Sequence, residues 1–132
     1  MKINRALETC IYGTDLESME RFYTQVMELE LRAKLDGRHL FFRCGPGMLL
    51  IFNPEATKIV LGDIPTHGAT GQGHVAFAIA QDAYDDLRAH LHHHGVPIER
   101  EITWESGVLS VYVRDPAGNS VEFTTPALWG IE

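Results

Sequence analysis

The sequence predicts an α+β fold built from two βαβββ modules. Apolar residues recur at helical spacing in two segments, residues 13–29 and 82–95. The other apolar stretches are short, alternate with polar residues and are separated by turn residues, as is typical of strands. The order of a strand, a helix and three strands occurs twice, which indicates an internal repeat of about 65 to 70 residues.

The first module opens with a strand and a helix. In the strand, over the first ten or so residues, Leu7 and Ile11 lie on one face and Glu8 lies on the other. The helix follows in GTDLESMERFYTQVMEL, where Thr14 or Asp15 is the expected N-cap because short polar side chains accept hydrogen bonds from the first helical N–H groups. Its apolar residues recur every three or four positions, so one face of the helix is predicted to be buried.

Three short antiparallel strands complete the first module, at LELRAKL, RHLFFRC and MLLIFN. Turns at Asp36-Gly37 and Gly45-Pro46-Gly47 separate them. Residues 54–72 then contain proline and glycine without sustained periodicity, and we interpret them as a linker.

The second module repeats this order. HVAFAIA is a strand, and DAYDDLRAHLHHHG is a helix with Tyr84, Leu87 and Leu91 on its inner face and Gly95 at its end. VPIEREITW, GVLSVYVRD and SVEFTTP supply three more strands, with the turn PAGN before the last. Residues 1–132 are therefore predicted to form one domain, with module one at about 3–53, a linker at about 54–72 and module two at about 73–126.

Composition limits the classes of function. The net charge of −7 and the pI near 5.4 argue against nucleic acid and anionic membranes as partners. The start MKINRALETC has no apolar core of a secretory leader, and no apolar run approaches the roughly 20 residues that cross a bilayer. Cys10 and Cys44 are too few for a disulfide framework. We expect a cytoplasmic protein that uses neither membrane nor nucleic acid.

Three polar residues occupy related positions on apolar strands. When the two modules are aligned, Glu8 falls on His74, Arg43 falls on Arg114 and, because the second hairpin is about two residues longer, Leu49 falls on Glu122. Glu8, His74 and Glu122 all lie opposite the bulky core residues of their strands. Two carboxylates and an imidazole are a coherent ligand set for a divalent metal, with positions left open for water or substrate. Singly, each residue also fits a solvated carboxylate or a core histidine.

Three stretches, LETCIYGTDLESMERFYTQVMELEL, GHVAFAIAQDAYDDLRAHLHHHGV and VYVRDPAGNSVEFTTP, together cover much of the chain. In these stretches the chain resembles the vicinal oxygen chelate superfamily, which contains glyoxalase I, fosfomycin and bleomycin resistance proteins and extradiol dioxygenases. The resemblance implies that the two modules form a curved mixed sheet around a central site, within one chain or across a homodimer. It also implies that Glu8, His74 and Glu122 hold a divalent ion such as Zn, Ni, Mn, Fe or Co.

The sequence departs from the family pattern in two places. Glu8 stands where the family commonly has His or Gln, and no ligand stands at or beside Leu49, which corresponds to the fourth metal position of glyoxalase I. A three-ligand site resembles that of fosfomycin transferases and extradiol dioxygenases more than that of a lactoylglutathione lyase.

The resemblance therefore predicts a metal-dependent enzyme of the lyase, transferase or dioxygenase type that acts on a small molecule with two adjacent oxygen atoms. Glu122 or Glu8 is the expected base. The alternatives are a metal-free, drug-binding protein of the bleomycin resistance kind and an accessory domain without catalysis.

Further residues are weaker candidates. Arg114 is expected to form a local ion pair with Asp115, and contact between a substrate anion and Arg43 or Arg114 is the alternative. Tyr112 is a possible acid or hydrogen-bond donor, and Trp104 a possible pocket residue. The histidines of HLHHHG are expected to be exposed at the end of a helix, although His90 and His94 have the spacing of a chelating pair. No pattern singles out His39 or His67.

Overall fold

The computed structural model describes residues 1–131, which fall into two compact units, one of them Met1–Gly71 and the other beginning at Gln72. The first contains β1 (Glu8–Tyr12), α1 (Leu16–Arg21), a π-helical turn (Phe22–Val26), β2 (Glu30–Leu35), β3 (His39–Cys44), β4 (Gly47–Phe52) and α2 (Pro54–Thr57). The second contains β5 (His74–Ala78), α3 (Tyr84–His93), β6 (Arg100–Thr103), β7 (Leu109–Arg114), β8 (Ser120–Thr124) and a 3₁₀-helix (Pro126–Trp129).

Each unit contains one mixed four-stranded sheet. The strand order is β1-β4-β3-β2 in the first unit and β5-β8-β7-β6 in the second. In both, the first strand pairs in parallel with the last, and the other neighbours are antiparallel. The α+β class and the two βαβββ modules are confirmed.

The first helix begins where the sequence predicts. The Asp15 side chain accepts a hydrogen bond from the Ser18 backbone N–H at 3.2 Å, so Asp15 and not Thr14 is the N-cap. The predicted continuous α-helix, however, changes to π-helical hydrogen bonding at Phe22, and the Met27 N–H donates to the Phe22 carbonyl at 3.1 Å. In this wider turn the consecutive residues Phe22 and Tyr23 are both buried.

One face of the first sheet forms the core of the first unit. It carries five residues that are at most 3% exposed, namely Ile11, Leu40, Phe42, Leu49 and Ile51. Strand alternation places Glu8 on the opposite face, which we call the Glu8 face.

The second sheet is arranged in the same way. Its core face contains Val75, Val111, Val113, Val121 and Phe123, all at most 9% exposed. The opposite face, which we call the His74 face, carries the polar side chains of β5, β7 and β8.

Helix α3 ends as expected, because Gly95 follows it with φ of 68°. That left-handed conformation is one that glycine adopts without steric cost.

The predicted linker has more local structure than its composition indicates. Asn53 caps the short helix α2 by accepting a hydrogen bond from the Glu55 N–H at 3.0 Å, and Pro54 fits the first helical turn, where no N–H partner is needed. Leu61 and Ile64 also form an isolated bridge. Among residues 1–131, no helix combines the length and apolar character needed to span a bilayer.

Candidate functional site in the second module

His74 and Glu122 lie on the same face of two adjacent parallel strands. In the β5–β8 register, His74 is opposite Ser120 and Ala76 is opposite Glu122, so the two candidate ligands are two residues apart on neighbouring strands. Side chains two residues apart along a strand share a face. The shared face predicted for His74 and Glu122 is therefore present.

A backbone carbonyl fixes the His74 ring. Its Nδ1 atom lies 3.0 Å from the Ser120 carbonyl oxygen. Because a carbonyl only accepts hydrogen bonds, Nδ1 is the donor, and in the neutral ring the lone pair is then on Nε2. Metal-ligating histidines are usually held in this way, with the second ring nitrogen donating to a carbonyl or carboxylate.

The RDPAGN segment positions His74. Asp115 accepts hydrogen bonds from the backbone N–H groups of Ala117 and Asn119 at 2.9 and 3.0 Å, and from the Asn119 amide at 2.9 Å. The Asn119 side-chain oxygen in turn accepts from the Gly73 N–H at 2.8 Å. The turn before β8 is thereby tied to the residue that precedes His74.

Glu122 is buried, and Tyr112 lies beside it. Only 6% of Glu122 is exposed, and Tyr112 is directly opposite it in the β7–β8 register. Burial raises the pKa of Tyr112, and its interaction with the neighbouring Glu122 carboxylate raises the pKa further, while Ser110 lowers it. Tyr112 is therefore a neutral hydrogen-bond donor near pH 7.

Trp104 extends this group of contacts. Its Nε1 atom donates to the Ser110 Oγ at 2.9 Å, and Ser110 is fully buried. Trp104, a weaker candidate from the sequence, thus bonds to a serine that no sequence pattern singled out and that lies two residues before Tyr112 on β7.

The prediction that Arg114 forms an ion pair with Asp115 is wrong. Arg114 forms its ion pair with Glu99 on the segment before β6, with an Nη2–Oε1 distance of 3.0 Å, and it also donates to the Gly118 carbonyl at 3.1 Å. The pKa of Glu99 is lowered by this hydrogen bond. Asp115 instead stabilises the turn through its bonds to backbone N–H groups.

The first module carries Glu8 but has an apolar residue at its last-strand position. Glu8 is exposed at the start of β1, in one register row with Met48 and Arg43. Cys10 is opposite Leu50, just as Ala76 is opposite Glu122, so Leu50 and not Leu49 is the equivalent of Glu122. The alignment of Leu49 with Glu122 is therefore wrong by one residue.

Beside Glu8, β1 and β4 approach closely. A Cβ atom on Gly47 would lie 2.8 Å from the Leu7 carbonyl oxygen, a distance that real Cβ contacts do not tolerate. Glycine at position 47 thus allows the approach of the strand end that carries Glu8.

The donor chemistry of the second module fits a divalent metal. In its neutral form His74 offers Nε2, because Nδ1 is bonded to the Ser120 carbonyl, and Glu122 supplies a buried carboxylate on the same face. Within residues 1–131, no group of three or more His, Cys, Asp or Glu side chains is arranged to hold an ion. Glu8 belongs to the first unit, and the set of Glu8, His74 and Glu122 remains a prediction.

An aromatic cluster on the first module was not predicted. The Tyr12 hydroxyl lies 2.8 Å from His67 Nδ1, and the Phe52 ring meets the His67 ring edge-on at 4.6 Å. His39 stacks on Phe41 at 4.0 Å, and Phe52 contacts both rings edge-on. Tyr12, Phe52 and His39 share one register row, which strand parity could have revealed. His67 lies in a loop without periodicity.

His39 makes stability depend on pH. Burial lowers its pKa, and the charge of Arg38 lowers it further. Since the unfolded chain keeps a histidine pKa of about 6.5, it binds the proton more readily than the folded state. The free energy of unfolding is therefore greatest above about pH 6.5. It decreases as the pH falls toward the lowered pKa of His39 in the folded state.

We expect His39→Phe, which keeps a ring against Phe41, to lose less stability than the wild type between pH 7.5 and pH 5.5. The measurement is urea unfolding at both pH values, with the exposed His92→Gln as the matched control. Equal losses in the wild type and His39→Phe would contradict the assignment to His39.

The histidines at the end of α3 are placed as expected. His92, His93 and His94 are exposed, and His90 is partly exposed. The rings of His90 and His94 lie 4.5 Å apart.

Known proteins resemble the chain over nearly its whole length. The sequence matches the Glyoxalase/Bleomycin resistance protein/Dioxygenase superfamily over residues 2–123. A lactoylglutathione lyase from Agrobacterium tumefaciens is 41% identical, with a TM-score of 0.94 over 99% of this chain and 100% of its own. FosX, a fosfomycin resistance protein from Listeria monocytogenes, is 18% identical, with a TM-score of 0.71 over 97% of this chain and 98% of its own. The second likeness shows the fold alone.

Proposed function

The chain belongs to the glyoxalase/bleomycin resistance protein/dioxygenase superfamily, and from that premise we propose that it is a metal-dependent enzyme acting on a small molecule with two adjacent oxygen atoms. The observation that carries the proposal is the pairing of His74, whose Nδ1 is bonded to a backbone carbonyl, and buried Glu122 on one face of the second module. The lactoylglutathione lyase at 41% identity makes lyase chemistry the first reaction to test.

His74, Glu122 and Glu8 are the proposed ligands, for an ion of the Zn, Ni, Mn, Fe or Co class. Such an ion supplies Lewis-acid polarisation of the substrate oxygens when bound. Leu50, where the other module has Glu122, limits the proposed set to three protein ligands.

The two carboxylates differ in their freedom to move a proton. Glu122 is buried opposite Tyr112, whereas Glu8 is exposed at the beginning of a strand. A general base must reach the proton that it abstracts. We therefore assign the base to Glu8, and the fixed ligand to Glu122.

Arg43 is the proposed contact for a negatively charged substrate group. It is exposed and shares a register row with Glu8 on the Glu8 face. Arg114 is the weaker candidate, since its guanidinium is already bound to Glu99 and Gly118. Trp104, which is 39% exposed, offers an aromatic surface for the rest of the substrate.

The aromatic cluster supports a second candidate function, which is metal-free binding of a small molecule of the drug type. Tyr12, His39, Phe41 and His67 are partly exposed around buried Phe52. Aromatic side chains with a few polar atoms are the usual lining of small-molecule sites. This candidate needs neither His74 nor Glu122.

We further propose a cytoplasmic homodimer. The two exposed or half-exposed free cysteines agree with a reducing compartment. Several large apolar residues are exposed on the chain, among them Val60 at 75% and Ile64 at 56%, which favours burial against a second copy.

Metal analysis and a substrate panel test the proposal. Purified protein, supplemented with each candidate ion and then desalted, should retain about one ion per chain, and the Glu8→Ala, His74→Ala and Glu122→Ala variants should retain less. The panel contains the hemithioacetal of methylglyoxal and glutathione, fosfomycin with thiol or water as acceptor, and catechols with oxygen.

His92→Ala is the matched control for His74→Ala, because it removes an exposed histidine from α3. Wild-type protein that retains no ion after supplementation would refute the enzyme proposal. Ligand binding that the three alanine variants leave unchanged but Phe52→Ala removes would support the metal-free binder.

A further inference from the structure

Helix α3 carries two histidines one turn apart at its C-terminal end. The His94 backbone N–H donates to the His90 carbonyl oxygen at 3.1 Å, so the chain keeps helical spacing between these residues. Side chains four residues apart on a helix are neighbours, and two histidines at this spacing can bind one metal ion from a single helix face. The helix is anchored by the buried residues Tyr84 and Leu91, whereas His94 is exposed and His90 is partly exposed.

The two imidazole rings are separated by a distance that one metal ion can bridge. Their centroids lie 4.5 Å apart, and the ring planes are inclined at 57°. A ligating histidine nitrogen lies about 2.0 Å from the ion, which puts the ring centroid about 3.2 Å from it. Two rings at adjacent corners of a square-planar ion then have centroids about 4.5 Å apart, and two rings at the tetrahedral angle about 5.2 Å apart. The observed separation matches the square-planar arrangement.

The charge at this end of α3 favours a cation. The last carbonyl groups of a helix carry partial negative charge. Within α3, the one Arg or Lys side chain is Arg88, and it is paired with Asp85 and with Glu101, each at 2.8 Å. An ion at His90 and His94 therefore meets no unpaired Arg or Lys on its own helix.

We propose that His90 and His94 form a second metal site, which takes a divalent ion of the Cu²⁺ or Ni²⁺ type. These ions prefer square-planar or tetragonal sets of nitrogen and oxygen ligands. Within residues 1–131, no third His, Cys, Asp or Glu completes a group of three around an ion, so water supplies the remaining ligands of this site. The inference goes beyond the proposed function and does not depend on it, because neither histidine belongs to the set of Glu8, His74 and Glu122.

His92 is the matched control for both histidines. It is exposed on the same turn of α3, but residues two apart on a helix do not face each other, so His92 cannot join either ring on one ion. His93 meets His94 edge-on, with centroids 5.1 Å apart, and it stays in place in every variant.

Equilibrium titration with Cu²⁺ tests the proposal, on full-length protein without a histidine tag. His74→Ala is included in every variant, because it removes a proposed ligand of the other site. The His74→Ala protein should bind one Cu²⁺ per chain, and electron paramagnetic resonance should show two coordinating imidazole nitrogens. Adding His90→Gln or His94→Gln should raise the dissociation constant about tenfold or more and leave one such nitrogen, because the second imidazole is no longer held at high effective concentration. Adding His92→Gln should change neither.

The outcomes keep the two proposals apart. A His74→Ala protein that binds no Cu²⁺, or a His94→Gln variant that equals His92→Gln in affinity and in nitrogen count, overturns this inference and leaves the proposed function untouched. Conversely, the result expected here stands even when no ion binds at Glu8, His74 and Glu122. The thermal midpoint without metal shows whether each variant is folded. If His90→Gln does not fold, His94→Gln decides the question, since His94 is exposed.

Discussion

Replacing Glu122 with glutamine should reduce metal-dependent turnover by about a thousandfold, while the metal-free protein stays at least as stable as the wild type. The change removes one negative ligand but keeps the size of the side chain and an oxygen that can accept from Tyr112. Losing the transition-state stabilisation of a bound ion costs several kcal/mol, and each 1.36 kcal/mol is tenfold in rate.

The expected stability of the metal-free Glu122→Gln variant follows from the burial of this side chain. A carboxylate that is 6% exposed has lost most of its hydration, and without a metal ion only its hydrogen bonds compensate for that loss. An amide is less costly to bury. With metal bound, the wild type should be more stable than Glu122→Gln. An ion at a hundredfold excess over its dissociation constant stabilises the folded state by about 2.7 kcal/mol.

Thermal unfolding with and without Zn²⁺, together with steady-state kinetics, measures both parts. Glu105→Gln is the matched control, because Glu105 is an exposed glutamate in the turn before β7. A Glu122→Gln variant that gains as much stability from Zn²⁺ as the wild type would show that Glu122 is not a ligand.

The fold was predictable because it depends on periodicity. Helical spacing marked α1 and α3, and alternation with turn residues marked the strands. Alternation also placed His74 and Glu122 on one face, since a residue's face depends only on strand parity.

Register was less predictable. Arg43 is opposite Met48 and Arg114 is opposite Ser120, so the second hairpin is longer by one residue and not by about two. Apolar residues occupy both positions 49 and 50, and no sequence pattern shows which of them faces the core. A shift of one residue moves a side chain to the other face of the sheet, which is why the sequence alignment pairs Leu49 with Glu122 where the structure pairs Leu50.

The hydrogen-bonded contacts were not predictable from the sequence. Ser110 and Asn119 are buried polar residues whose partners, Trp104 and Gly73, lie on other segments of the chain. Periodicity reports which face a residue takes and carries no information about its hydrogen-bond partner. Adjacency in sequence likewise suggested Asp115 for Arg114, although the ion pair is with Glu99 across the fold of the second unit.

Replacing Asn119 with alanine should destabilise the protein by about 2–4 kcal/mol and weaken metal binding as well. Asn119 is 1% exposed, and its side chain joins the Asp115 carboxylate to the Gly73 N–H. Removing it leaves the buried Asp115 carboxylate short of a partner, at about 1–3 kcal/mol, and also removes the hydrogen bond to the exposed Gly73, at about 1 kcal/mol. The loss of the Gly73 bond also loosens the residue next to His74.

Urea unfolding and Zn²⁺ titration check the two effects, and Asn53→Ala is the matched control. Asn53 also bonds a backbone N–H, that of Glu55, but it does so at the cap of α2 in the first unit. Its loss should cost about 1 kcal/mol and leave Zn²⁺ affinity unchanged. A loss below 1 kcal/mol for Asn119→Ala, or equal Zn²⁺ affinities in the two variants, would contradict the role of Asn119 in holding His74. A turn that only closes the hairpin would leave the Zn²⁺ affinity unchanged, because His74 lies on the neighbouring strand.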